Sequence, residues 1–445
     1  IRDSYGEQLI YDWRAPISSL YYDFSLGEAY YESHQRKFYG QLRLKRQFEI
    51  KNGAISFVVD TNDAINDELL MRELGKSTSN EMKTIIHTIQ KEQNQAIRDT
   101  KTKNLIIQGV AGSGKTSIAL HRMAYLLYQK KEELDASDIL IVSPNQVFAD
   151  YIATVLPELG EEELPQIDIV KLGTMFIEEK YQVSDRHDEL KAALENPNSK
   201  QAENYKYKQS REFYELLQTH LEQLKARLYS AEIKLDNYHI SAAEIKRFVD
   251  QQSEKSLVEL IQEITKLLSE RVSEISRESF AKTLEQLFKK RLNTIGSLSD
   301  YYHFLSANNL THLSEKNSIR YSDLFPYLFF KLMIVGIKPN KQIQHLVIDE
   351  MQDYSLLQLV TLERLFPCPK TVCGDIHQSL FASDSNFLAE VQKNLPQSRL
   401  LKFQTSYRSS FEIMNFAKRF IDEEEIQPIQ RHGKEVEAVS YTHLR

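Results

Sequence analysis

The chain has 445 residues, room for two or three packed cores, since single cores stop growing near ~250–300 residues. Hydrophobic residues at 41% and charged residues at 27% describe a soluble globular protein, with no run of ~18 apolar residues to span a bilayer, and no signal peptide is expected from its first residues. Cys368 and Cys373 are too few for a disulfide framework or a zinc site and point to a reducing cytoplasm; a net charge of −7 excludes coating of nucleic acid by bulk positive charge, though not a local basic groove.

The first residue is Ile1 rather than Met, so the chain is expected to be a piece of a longer protein. Residues 1–80 are expected to form a β-rich module. In "QLRLKRQFEI", Leu42, Leu44, Phe48 and Ile50 alternate with polar residues, "KNGA" turns the chain, and Ile55, Phe57 and Val59 alternate again. Asn-Gly between alternating runs predicts a hairpin, because both residues tolerate positive φ. Arg36, Lys37, Arg43, Lys45 and Arg46 suit either a solvated outer face or phosphate contacts, and Trp13 in "YDWRAPISSLYYD" suits a packed aromatic anchor.

Over 81–150 the pattern becomes α/β: "EMKTIIHTIQKEQNQAIRD" has helical spacing, "NLIIQ" and "DILIVSP" read as strands, and "TSIALHRMAYLLY" as an apolar helix. Between the first strand and that helix lies "GVAGSGKTS", a full G-x-x-x-x-G-K-[ST] match in the context the motif requires. Gly109, Gly112 and Gly114 let backbone N–H groups face phosphates at a helix N-terminus, together with Ser113 and Ser117; Lys115 would reach the β and γ phosphates of ATP, and Thr116 would ligate Mg2+.

Residues 151–342 differ in character. Tyr214, Leu217, Leu221, Leu224, Leu228, Ala231 and Leu235 follow heptad spacing, continued by Leu257, Ile261, Ile264 and Leu268, which predicts antiparallel helices along a narrow seam: an inserted arm over roughly 178–300, serving as a spacer or a partner-binding lever. "ENPNSKQAEN" reads as a loop at its base.

The α/β pattern resumes at 343 with "IQHLVID", "KTVCGD" and "RLLKF". Acids that open "DEMQDYSLLQ" suit a charged helix start, but beside a P-loop a strand ending in an acid is what holds magnesium. Asp349 fits that role, and Glu350 that of polarising the attacking water. Asp375 and Gln378 in "VCGDIHQ" end a third strand where the γ-phosphate could be sensed, and Arg408 in "TSYRSS" could act as an arginine finger.

This ordered set resembles superfamily 1 motor ATPases of the UvrD/Rep type: Gln93 in "IQKEQNQAI" matches their adenine-reading Q motif, "GVAGSGKT" motif I, "SPN" (143–145) motif Ia, "DEMQD" motif II, "GDIHQS" motif III and "YRS" motif IV. "DWRAPISSLYYD", "GSGKTSIALHRMAYLLY", the helical insertion and "RHGK" are similar to the HelD branch. The resemblance implies an α/β fold: a RecA-like P-loop NTPase domain with a parallel sheet, interrupted by a long, coiled-coil-like α-helical insertion and preceded by a small β-rich module. It divides the chain into the module (1–80), the first part of the RecA-like domain (81–150), the insertion (151–342), the second part (343–404) and the start of a second RecA-like domain (405–445).

It implies a monomeric cytoplasmic ATPase using ATP and Mg2+ that binds bacterial RNA polymerase through projecting arms and releases it from nucleic acid, with DNA or a DNA–RNA hybrid as a further partner. Two alternatives stand beside it: a 3′-to-5′ DNA helicase, and a non-catalytic interaction protein whose P-loop holds nucleotide as a switch. Where such helicases carry a Trp-Arg pair after motif III, Ser383 and Asp384 stand here, and losing the aromatic platform forfeits stacking worth ~1–3 kcal/mol per base. The chain stops at the start of the second RecA-like domain, so residues 1–445 alone are expected to bind ATP but hydrolyse it poorly, and "VSYTHLR" looks foreign to what precedes it.

Overall fold

The structure, a computed structural model, describes residues 5–6, 8–60, 92–144, 162–177, 180–235, 237–252, 254–272, 274–311, 317–379, 386–406, 408–420, 426–429 and 431–437. Most of the helix expected over 81–98 therefore lies outside the described residues, as do Asn145, Ser383, Asp384, Tyr407 and "VSYTHLR".

The N-terminal module holds two separate hairpins. In β1 (Gly27–Ser33) and β2 (Arg36–Leu42) the turn is made by His34 and Gln35, both at positive φ, a pair without a recognisable turn signature. In β3 (Arg46–Lys51) and β4 (Ala54–Asp60) it is Asn52-Gly53, with φ of 52° and 77°, as the sequence predicts. The alternating run over 41–50 is not one strand, because β2 ends at Leu42 and β3 begins at Arg46. Lys45, read as a solvated or phosphate-facing base, is instead buried, with its ammonium 5.5 Å from the ring centre of Tyr21.

A six-stranded parallel sheet carries the fold, in the order β14-β5-β13-β12-β6-β7. Its strands are β5 (Asn104–Gly109), β6 (Ile139–Ser143), β7 (Gln166–Asp168), β12 (His345–Ile348), β13 (Lys370–Gly374) and β14 (Ser398–Phe403). β5, β6, β12 and β13 are buried at every position, as strands covered on both faces must be. Leu105, Ile107, Ile141 and Val347 pack with Ile118, Leu120 and Met123 of the helix Lys115–Gln129. Their neighbours Ile106, Val142, Leu346 and Ile348 join a second core with Ile169 and Leu172, Leu324 and Phe325, and Leu357 and Leu359, drawn from three helices on the opposite side.

That second core runs on through the inserted helices without a break. The insertion is thus rooted in the sheet, and its helices Ile169–Met175 and Tyr321–Val335 share the core of one sheet face. Several of its helices are started by a serine hydroxyl accepting the amide three residues on: Ser199, Ser210, Ser241, Ser256 and Ser297. Two short strand pairs tie it together, β8 (Gln182–Val183) with β11 (Ser318–Ile319) and β9 (Ile233–Leu235) with β10 (Tyr238–Ile240).

The single heptad seam expected through Leu235 stops at Leu228, where the helix Arg211–Leu228 ends; Ala231 is exposed and Leu235 belongs to β9. The stop has a physical cause. Arg291 donates to the Leu228 carbonyl at 2.8 Å, and Arg227 donates to the Leu292 carbonyl at 3.1 Å, so two helix C-termini each receive a guanidinium from the other.

Inside the insertion Lys208 and Asp323 form an ion pair of 2.6 Å with side chains 1% and 0% exposed, and Tyr301 donates to the same carboxylate at 2.8 Å. Asp323→Ala leaves the buried ammonium without its counter-charge, with the Thr311 carbonyl still accepting from it at 3.0 Å, so the unfolding free energy is expected to fall by ~3–5 kcal/mol in urea titrations. Lys282→Ala, which breaks the exposed pair with Glu278, is expected to leave the transition where it is.

Candidate functional site

The carboxyl ends of β5, β12 and β13 come together, as expected for ligand sites on open parallel sheets. β5 runs into the loop 110–114, whose Gly112 and Gly114 have φ of 77° and 83°, and the helix Lys115–Gln129 follows with its N-terminus facing the same side. Gly109 is needed for closeness: a Cβ there would lie 3.0 Å from Lys115 Cγ. Lys115 is buried and donates to the Val110 carbonyl at 3.3 Å, folded onto its own loop. Ser113 Oγ is buried without a hydrogen-bond partner, a polar atom waiting in an anion-binding loop. Ser117 is turned to its own helix, its Oγ 3.3 Å from His121 Nδ1.

Asp349 follows β12, is 2% exposed and accepts from Thr116 Oγ1 at 3.2 Å. Burial pushes its carboxyl up to about 6, against hydrogen bonds from Cys373 and Thr116 that lower it. Cys373 on β13 donates Sγ–H to Asp349 Oδ1 at 2.8 Å and stays a thiol, its pKa raised by burial and by the adjacent carboxylate. A buried carboxylate beside a hydroxyl, next to a phosphate loop, is a hard-oxygen pair that fits Mg2+ completed by phosphate oxygens and water.

Glu350 is a non-glycine residue in the left-handed region, φ 52° and ψ 50°, at the start of the single turn Met351–Asp353. Gln352 fixes it: Nε2 donates to Glu350 Oε2 at 2.7 Å, while Oε1 accepts from the Asp375 N–H at 2.8 Å. Asp375, also buried, accepts from Gln378 Nε2 at 2.8 Å and from Gln108 Nε2 at 3.2 Å, and Gln108 Oε1 accepts from the Ile376 N–H. One hydrogen-bonded string thus joins Glu350, Gln352, Asp375, Gln378 and Gln108 across three strand ends. Gln378 is exposed, with its amide held by Asp375.

Gln93 donates to the Ser113 carbonyl at 3.3 Å, which sets the Q-motif glutamine against the P-loop. The N-terminal segment packs behind it. Trp13 meets His121 edge-on at 5.6 Å between ring centres, its carbonyl accepts from Arg98 at 2.6 Å, and Arg14 lies 4.7 Å from the Tyr128 ring centre. Trp13 is therefore an anchor on the helix that follows the P-loop. Arg408 is exposed, and its backbone lies against the loop: a Cβ on Gly112 would sit 2.7 Å from Arg408 Cβ.

Sequence reasoning missed Gln352, Gln108 and Cys373. Cys373 stands in no metal-ligand pattern, and the bonds of the two glutamines to Asp375 and Ile376 join residues distant in the chain. The one signal available was that Gln108 and Gln352 sit at strand ends already marked by motifs I and II.

Residues 89–394 match the family model described as UvrD/REP helicase N-terminal domain, and residues 1–73 match that of DNA helicase IV HelD, N-terminal domain. No curated protein matches the chain. Among the described residues no helix is long and apolar enough to cross a membrane.

Gly374 lets the turn of motif II lie across β13: a Cβ there would be 2.5 Å from Gln352 Oε1 and 2.6 Å from the Met351 amide nitrogen. Gly374→Ala is expected to cost ~1–3 kcal/mol in stability and to weaken binding of a fluorescent ATP analogue. Gly40→Ala, with nothing within 4 Å of the new methyl, is expected to change neither.

Proposed function

The chain belongs to the UvrD/REP helicase family, in its HelD branch, and from that footing we propose that this superfamily 1 helicase-like ATPase is a monomeric cytoplasmic motor that remodels bacterial RNA polymerase and releases it from nucleic acid. The observation that carries the ATP chemistry is the meeting of Thr116 with Asp349 at 3.2 Å beside the P-loop. The HelD-type N-terminal match and the helical insertion support the step to polymerase.

In this reading Gln93 reads the adenine, the amides of 109–114 and the helix N-terminus receive the phosphates, and Lys115 leaves the Val110 carbonyl to reach the β and γ oxygens. Thr116 and Asp349 hold Mg2+, which neutralises phosphate charge when bound. Glu350, aimed by Gln352, takes the proton of the attacking water. Gln378 exchanges its bond to Asp375 for the γ-phosphate, and Arg408 faces the developing charge from the second RecA-like domain. The insertion supplies surfaces for the polymerase. The rival reading, a 3′-to-5′ DNA helicase with the same ATP chemistry, draws support from the two family descriptions, both of which name helicases.

Turnover of the complete protein is expected to rise with RNA polymerase core and hardly at all with single-stranded DNA. Strong stimulation by DNA with none by polymerase makes the helicase reading the right one. Glu350→Gln is expected to lower turnover by roughly 10²–10⁴-fold while retaining ATP, read by steady-state hydrolysis and by equilibrium binding. Undiminished hydrolysis by that variant removes Glu350 from the mechanism.

A further inference from the structure

The last acid of motif II, Asp353, has no part in the nucleotide chemistry above, and it points the other way. A cleft of about 400 Å³ separates motif II from the insertion, lined among others by Arg186, Tyr205, Arg211, Gln352, Asp353 and Tyr354. Across it Arg186 Nη2 lies 3.4 Å from Asp353 Oδ2, with the two side chains 19% and 32% exposed.

Asp353 closes the turn that holds Glu350. Its N–H donates to the Glu350 carbonyl at 2.9 Å, which completes the turn Met351–Asp353 and keeps Glu350 at φ 52°. A left-handed backbone at a non-glycine residue persists only where its surroundings hold it. On one side the holding groups come from the sheet, through Gln352 and Asp375. On the other they come from the insertion, through Arg186.

Arg186 is itself fixed within the insertion. It opens the helix Arg186–Glu195, and its guanidinium lies 5.8 Å from the ring centre of Tyr321. One turn on, Glu189 accepts from the Tyr321 N–H at 2.7 Å, and β8 pairs with β11 just ahead of both helices. The entry and exit of the insertion are thus tied to each other and, through one guanidinium, to motif II. A second tie runs in parallel: Arg211 Nη1 to Glu390 Oε1 at 3.0 Å joins the insertion to the helix Phe387–Asn394 that follows motif III.

We propose that Arg186 is a positioning residue for Glu350, holding the turn of motif II from the insertion side so that displacement of the insertion by a bound protein partner is felt as a change in the rate of ATP hydrolysis. The proposal rests on the reading of Glu350 as the group that activates water. In this proposal Arg186 acts through Asp353 and the turn. Misplacing a catalytic group by about 1 Å can cost on the order of 10²-fold, so loosening this turn is expected to lower kcat and leave the P-loop alone.

The test is steady-state ATP hydrolysis by the complete protein carrying Arg186→Ala, Asp353→Ala, both together, and Arg186→Lys, with ATP affinity and thermal midpoint measured beside it and Glu350→Gln as reference. The expected result is a fall in kcat of about tenfold or more for each alanine variant, ATP affinity unchanged, the double variant no worse than either single one, and Arg186→Lys close to wild type. Wild-type kcat in Arg186→Ala, or losses that multiply in the double variant, overturns the proposal. If Arg186→Ala does not fold, Arg186→Lys and Arg186→Gln decide by the same measure: a kcat kept by lysine and lost by glutamine supports it, and equal rates overturn it. Full turnover in Glu350→Gln instead defeats the underlying catalytic reading, whatever Arg186 does.

Discussion

The hydrogen bond from Thr116 to Asp349 spans two strands that are not neighbours, since β13 lies between β5 and β12. Bringing a helix N-terminus after one strand to a carboxylate after the other requires the chain after β12 to cross the end of the intervening strand. β13 allows this through Gly374, which leaves room for Met351 and Gln352 to cross above it, and through Cys373, whose thiol holds the far oxygen of Asp349. The site is therefore a property of three strand ends in one register. Bulk at the end of β13 lifts the motif II turn, and with it Glu350.

Burial sets the chemistry that follows. Asp349 loses solvent, and its hydrogen bonds from Cys373, Thr116 and the Glu350 backbone only partly offset that loss, so its ionised form is costly in the absence of a cation. Lys115 and Ser113 are likewise held in the loop, one on a backbone carbonyl and the other without a partner. In the function proposed, these polar groups are organised for an anion and a hard cation, at the expense of their own satisfaction.

The sheet's second face is shared with the insertion. Val142, Leu346 and Ile348 share a core with Leu324, Phe325 and the helices beyond them. Packed cores transmit displacement because they have little free volume to absorb it. The insertion is anchored over a layer of the domain rather than through two loop ends.

How much of this was legible in the sequence follows from distance along the chain. The P-loop, the buried strands and the Asn52-Gly53 turn depend on neighbouring residues and could be read directly. The heptad pattern overran because Ala231 and Leu235 continue the spacing while the chain leaves the helix at Leu228, whose carbonyl is capped by Arg291 from far along the chain. Gln352 and Gln108 carry no local signal of the bonds they make to Asp375 and its neighbours, and Lys45 none of its burial beside Tyr21. The proposed role of Thr116 and Asp349 as the magnesium end of an ATP site is tested by ATP affinity, measured calorimetrically with and without Mg2+, for the wild-type chain and Asp349→Ala. Mg2+ is expected to tighten binding in the wild type, and the variant to lose this gain while keeping its metal-free affinity. An equal gain in both contradicts it.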